Sequence, residues 1–305
     1  PVLMTCSGQN PAWSIHKTTR DPAGAGYEPF HSWKSPGGRV LMSTARAGAD
    51  YLLEIPGLAR FRLDPGRRRI DAFPVNDCPD NSLAHLLLDQ ILPRAVCHGG
   101  RLVLHAGAVH MADGRAIAFA GETGRGKSTL TAALDHAGCP LLTDDCLLLE
   151  RRAGAVRAVP AYPSMRLWPD SLEAVFGAEA ESSARAADMA HYTAKKQWLI
   201  ESSGAGRHPA NPELAALFLL GDAGESGVVN IEEAGGQAAM MALIENAFAL
   251  DVADRQSVSR GFDLAGEVVQ ALPVYRLSYP RDYRKLPEIV EKLVNVHRDF
   301  SNQTA

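Results

Sequence analysis

Three groups of residues in this sequence are of types and spacing that could do chemistry. Gly121-Glu122-Thr123-Gly124-Arg125-Gly126-Lys127-Ser128 follows the pattern G-x-x-x-x-G-K-[ST], with Thr129 directly after it. Glycines in such a run let backbone N–H groups converge on a polyphosphate, and a helix starting at its end adds partial positive charge. Lys127 can reach the β and γ phosphates, and the Ser128 hydroxyl can bind Mg²⁺. Glu122 and Thr123 are expected to shape the loop, and Arg125 to point at solvent. The second group is Asp144-Asp145, at the end of a short apolar run. One carboxylate there can hold a metal, directly or through water, and the other is then free to take a proton from an attacking hydroxyl. The third is His105, alone in an apolar stretch, where it reads either as a group near a γ-phosphate or as a core histidine. Arg166, Lys195 and Lys196 are candidate cationic contacts to a transferring phosphoryl group or its acceptor. His110 is expected at the surface.

These residues need elements to position them. Ala116–Ala120 reads as a strand feeding the loop, and Leu130–Ala137 as the helix leaving it, with Gly138 as its stop. Leu102–Val109 reads as a strand carrying His105, and Asp113-Gly114 as the turn of a hairpin into the loop strand. Leu141–Asp145 is a short strand ending in the acid pair. Cys146–Glu150 continues extended, and Val156–Pro160 pairs back after Ala153-Gly154. Further on, Asp170–Phe176 reads as a helix and residues 177–193 as weakly structured. Lys195–Ile200 and Leu214–Leu220 read as strands with a loop at 202–206 between them. Helices are expected at Gly235–Phe248, Phe262–Ala271 and Leu286–Val296, with a strand at Val274–Tyr279.

Upstream, residues 1–40 are rich in Gly, Pro and Ser and are expected to be irregular apart from one short strand, with Trp13 and Trp33 as packing anchors. Val40–Met42, Tyr51–Ile55, Ala59–Leu63 and Ile70–Pro74 read as short strands joined by Pro56-Gly57 and Asp64-Pro65-Gly66 turns. Arg67-Arg68-Arg69 is expected at a solvated hairpin end. Asn81 or Ser82 can cap a helix running to Leu92. The expected organisation is therefore a β-rich N-terminal module over 1–98 and an α/β domain over 99–305.

Composition narrows the class. The 305 residues are 46% hydrophobic and 22% charged, with net charge −4. The pI is about 6.2. That balance gives no reason to expect a nucleic-acid or membrane-surface partner. No apolar run approaches a membrane span, and the first residues do not have the pattern of a signal peptide. Five cysteines, Cys6, Cys78, Cys97, Cys139 and Cys146, form no C-x-x-C and read as reduced thiols of a cytoplasmic protein.

Taken together, Leu104-His105-Ala106, the run Gly121–Thr129 and Leu142-Thr143-Asp144-Asp145 resemble the core of the HPr kinase/phosphorylase family. The family's loop is G-x-[ST]-G-x-G-K-[ST], and Thr123 fits its third position. The resemblance implies a P-loop kinase core of the HPr kinase / phosphoenolpyruvate carboxykinase type. The small β-rich N-terminal module over 1–98 does not look like that family's N-terminal domain and is expected to recognise the acceptor. The resemblance implies ATP and Mg²⁺ as cofactors and a Ser hydroxyl on a small protein or peptide as acceptor. The family's histidine falls on His105. Its acid pair falls on Asp144 and Asp145, one as general base and one serving Mg²⁺, with Asp144 favoured as base and Asp145, with Ser128, for the metal. Where the family carries a Glu-x-Arg-Gly-Leu-Gly-like signature, this chain has Pro163-Ser164-Met165-Arg166-Leu167-Trp168, with Arg166 as the counterpart. The chain looks more like the shorter HPr-kinase-like serine kinases, some of which accompany ribosomal peptide clusters, including lasso peptides, and phosphorylate a precursor peptide. A homo-oligomer stays open. So do two other activities: an ATP-dependent small-molecule kinase, and a nucleotide-hydrolysing regulator without a protein acceptor.

Overall fold

A computed structural model describes residues 13–21, 26–35, 37–75, 77–162, 164–200, 211–222 and 228–303. The loop expected at 202–206, Cys6 and Pro163 lie outside them. The chain divides into two compact units. One takes the residues up to Gly99 together with Ala249–Val258, and the other takes Gly100–Phe248 with Ser259–Ala305. The expected single cut at 98 therefore omits the return of Ala249–Val258.

The first unit is built on a six-stranded sheet. Its strands are β1 (Ser14–Lys17), β2 (Glu28–Lys34), β3 (Val40–Ala47), β4 (Asp50–Ile55), β5 (Ala59–Asp64) and β6 (Arg69–Pro74). The order is β1-β6-β5-β4-β3-β2. Neighbours are antiparallel except β1, which runs parallel to β6. Period-two alternation makes one face: Tyr51, Leu53, Ile55, Phe61 and Leu63 are buried while Glu54, Arg60 and Arg62 are not. β1 and β2 form where mostly irregular chain was expected, because pairing to β6 and β3 supplies what their Gly- and Pro-rich flanks do not. Trp13 and Trp33 pack on this core as anticipated.

The helix expected to stop at Leu92 continues. It runs as α1 (Asp80–Leu86), a π turn over Leu87–Ile91, and α2 (Leu92–His98). Pro93 lacks an N–H and would crowd the preceding turn, and the wider π turn just upstream accommodates it. Asp251, in the returning segment, is buried; its carboxylate accepts from Arg46 Nη1 at 2.8 Å and Tyr51 Oη at 3.1 Å. Burial and that carboxylate push the Tyr51 phenol up to about 12.

The second unit is α/β. Its strands begin with β7 (Leu102–Leu104), β8 (Ala106–His110) and β9 (Ala116–Ala120), followed by helix α3 (Lys127–His136) and β10 (Leu141–Thr143). Then come β11 (Leu147–Arg152), β12 (Ala155–Val159), β13 (Ser164–Leu167), α4 (Pro169–Phe176), β14 (Ala186–Asp188) and β15 (Lys196–Leu199). The remainder is β16 (Leu214–Leu220), β17 (Asn230–Glu233), α5 (Gly236–Asn246), α6 (Arg255–Ala271), β18 (Val274–Ser278) and α7 (Leu286–Gln303).

The central sheet has the order β10-β8-β9-β16-β18-β17. β8 and β9 form the expected antiparallel hairpin, and β9, β16 and β18 run parallel. β9 and β16 are buried along their whole length, because both faces of the sheet are covered. Ala116, Ala118 and Ala120 join a core with Leu243 of α5 and Ala265 of α6. Ile117 and Phe119 join another with Leu130 of α3 and Ile289 of α7.

The stretch 102–109 is not one strand. It breaks at His105: β7 pairs with β11, whereas β8 pairs with β9 and β10. β13, β15 and β14 form a separate three-stranded sheet. Cys78, Cys97, Cys139 and Cys146 form no disulfide, and no helix among the described residues is long and apolar enough to cross a membrane.

Candidate functional site

The run Gly121–Ser128 lies between β9 and α3, as strand, turn and helix. Gly124 and Gly126 have φ of 87° and 90°, backbone that L side chains rarely adopt. Gly126 also stands at the N-cap of α3, and a Cβ there would lie 2.7 Å from Tyr279 Oη and 2.8 Å from Arg281 Nη1. Only glycine fits both constraints. Two side chains beyond β18 hold this turn: Tyr279 Oη donates to the Arg125 carbonyl at 3.3 Å, and Arg281 donates to that oxygen and, at 2.8 Å, to Gly221 O.

Lys127 is buried and its ammonium donates to Gly121 O at 2.6 Å and Glu122 O at 3.2 Å. Burial pushes its pKa down, and the Asp145 and Asp144 carboxylates oppose that. Arg125, expected at solvent, is half-buried and ion-paired to Glu122 at 2.8 Å and to Asp222. Thr129 turns toward α4, where its hydroxyl donates to Ser171 Oγ at 3.1 Å. It therefore holds the helix rather than facing the loop.

Asp144 and Asp145 stand in the bend between β10 and β11. The two differ sharply. Asp144 is 1% exposed. Its Oδ2 accepts from the Arg166 backbone N–H at 2.8 Å, its Oδ1 lies 3.5 Å from the Thr131 hydroxyl, and the Ser128 side chain is near enough to oppose the rise in its pKa. Burial first, and then the neighbouring Asp145 charge, push its pKa up to about 8. Asp145 pairs with the Arg166 guanidinium at 3.0 Å, and His105 Nδ1 lies 3.6 Å from its other oxygen. His105 Nδ1 also lies 3.2 Å from the Asp145 carbonyl. Burial pushes the His105 pKa down against the pull of Asp145, which favours the neutral imidazole. His105 thus sits at the corner where the chain changes sheets, its ring turned to the acid pair.

Arg166 is buried, which lowers its pKa to about 9, and its guanidinium also lies 5.3 Å over the Tyr162 ring. Lys195 and Lys196 part company, as adjacent residues at a strand do. Lys196 is held by Asp188 at 2.9 Å and Glu181 at 3.3 Å. Lys195 Nζ lies 5.6 Å from the half-exposed Trp168 ring and forms no ion pair among the described residues; its charge is felt at His105, Lys127 and Asp144. His110, expected at the surface, is 9% exposed because β8 lies inside the sheet.

Asn246, Tyr279 and Arg281 touch the loop and were not singled out from sequence. They lie far along the chain in no motif, and only the parallel pairing of β9 with β16 and of β16 with β18 shows why β18 ends near the loop. Among the described residues no group of three or more His, Cys, Asp or Glu side chains is placed to cage a metal. The donor set here suits Mg²⁺, which keeps several waters and takes one or two carboxylates plus phosphate oxygens.

No protein-family model matches this chain, and no curated protein is similar to it in sequence. Among solved structures, the HPr(Ser) kinase/phosphatase from Coxiella burnetii is similar at 14% identity over 64% of this chain and 95% of that chain, with a TM-score of 0.34.

Proposed function

We propose that the second unit binds Mg-ATP and transfers its terminal phosphoryl group to a hydroxyl, with serine on a small protein or peptide as the acceptor. The observation that carries this reading is one connected set of groups. A glycine turn caps α3, Lys127 lies buried beneath it, and Ser128 at the start of the helix stands near Asp144, one member of a buried acid pair. Backbone amides and Lys127 would hold the polyphosphate, and the bound Mg²⁺ would neutralise charge on its oxygens.

The contacts support a division of labour opposite to the one favoured by resemblance. Asp144, near Ser128, would share the metal with that hydroxyl. Asp145, the less buried of the pair, would orient the acceptor hydroxyl and take its proton. Arg166 holds the Asp145 carboxylate and His105 lies against the Asp145 backbone carbonyl, and Arg166 and Lys195 supply positive charge. Lys196 has no part in this reading.

The test is intact-mass spectrometry of candidate acceptors incubated with the full chain and Mg-ATP, with Asp145→Asn as control. The candidates are HPr and short serine-containing peptides encoded beside the gene. The expected result is a single phosphate mass gain with the native protein, lost in the variant while ATP still binds. ATP consumption with every acceptor unmodified would instead support a nucleotide-hydrolysing regulator. Phosphate on a small metabolite would support a small-molecule kinase.

A further inference from the structure

The geometry points to Asn246, the last residue of α5, as a positioning residue that ties the root of the glycine loop to His105; the inference rests on the nucleotide reading above. Three hydrogen bonds define it. Asn246 Oδ1 accepts from the Gly121 N–H at 3.0 Å. Asn246 Nδ2 donates to Ala242 O at 2.8 Å, one turn back in the helix. The Asn246 carbonyl accepts from the His105 N–H at 2.7 Å. An N–H can only donate and a carbonyl can only accept, so these partners fix which way the amide faces.

The neighbours extend the same seam. Phe248 N–H donates to Val103 O at 2.9 Å, and the Phe248 ring stands edge-on to His105 at 6.2 Å. The backbone at Gly121 admits only glycine. Its φ is 149°, and a Cβ there would meet Leu220 O at 3.1 Å. The first amide of the loop is therefore committed to Asn246, and the amides left to face phosphate begin beyond it. One side chain then sets where the loop starts relative to the corner that presents His105 to Asp145. A side chain serving only to end α5 would have no reason to hold Gly121.

The experiment uses full-length Asn246→Ala and Asn246→Asp. Affinity is read with fluorescent ADP and ATP analogues in Mg²⁺, and the ¹⁵N amide signals of Gly121 and His105 are followed in parallel. Asn246→Ala should shift both amide signals and weaken both nucleotides by about tenfold, the equivalent of one lost hydrogen bond to a part-buried N–H. Asn246→Asp keeps an acceptor for Gly121 but loses the donor to Ala242 and sets an anion at the loop root. Its loss should be larger for ATP than for ADP, because the added anion repels the more highly charged polyphosphate more strongly. Affinities within twofold of wild type in both variants, with unmoved amide signals, would overturn the inference. Wild-type protein that binds neither analogue would overturn the nucleotide reading alone; the amide signals then decide the inference, which unmoved signals in both variants would overturn.

Discussion

Replacing Asp144 with Asn should make the metal-free protein more stable, by an amount that grows with pH. The Asp144 carboxyl, ordinarily near 3.8, is raised to about 8 in the fold. Between those values the folded chain keeps a proton that the unfolded chain has released. Stability from this group is thus full below about 3.8 and is lost progressively as pH rises toward 8. At pH 7 the loss approaches about 4 kcal/mol, at 1.36 kcal/mol per pH unit. An amide carries no such dependence and fits the contacts: its oxygen can accept from the Arg166 N–H, and its NH₂ can face the Ser128 and Thr131 hydroxyls. The expected gain for Asp144→Asn is about 2–4 kcal/mol at pH 7, shrinking toward zero near pH 4. Urea unfolding in EDTA at pH 5, 6, 7 and 8 reads the difference directly. A difference that stays flat, or a variant less stable than wild type at pH 8, refutes the reasoning. The same substitution should weaken Mg-ATP binding.

Gly126→Ala should lose nucleotide affinity at least about tenfold and cost about 1–3 kcal/mol of stability, because it strains a left-handed backbone and drives a methyl into Tyr279 and Arg281; titration calorimetry and thermal unfolding check both. Arg166→Ala strands the Asp145 carboxylate in a buried place and should destabilise by about 3–5 kcal/mol, measured by urea unfolding. Lys196→Ala breaks only pairs whose acids are largely exposed, and should change stability by less than about 1 kcal/mol and leave phosphoryl transfer intact.

Sequence spacing revealed the elements that carry their own signal. The loop, the hairpin before it and the acid pair are local patterns, each declared within a few residues. The seam at His105 was hidden, because an apolar run looks the same whether its ends pair with one sheet or two. β17 and the first turns of α6 were missed for a related reason. Asn230-Ile231-Glu232-Glu233 is a polar edge strand that exists only because β18 lies beside it, and Gly261 interrupts the helical pattern of α6. In the site, residue type identified Lys127 and Asp144, but adjacent Lys195 and Lys196 were indistinguishable until the strand put them on opposite sides. Thr129 is the converse case: the motif placed it at the loop, and the packing of α3 on α4 took it away.

The return of Ala249–Val258 to the first unit bears on how the protein emerges from the ribosome. Tyr51 and Arg46 leave early, but Leu250 and Asp251, which complete their surroundings, follow only after residues 100–248 have been made. At 5–20 residues per second that interval is roughly 7–30 s. Throughout it the nascent β-sheet carries an incomplete core, so the first unit cannot finish folding in the order in which it is translated.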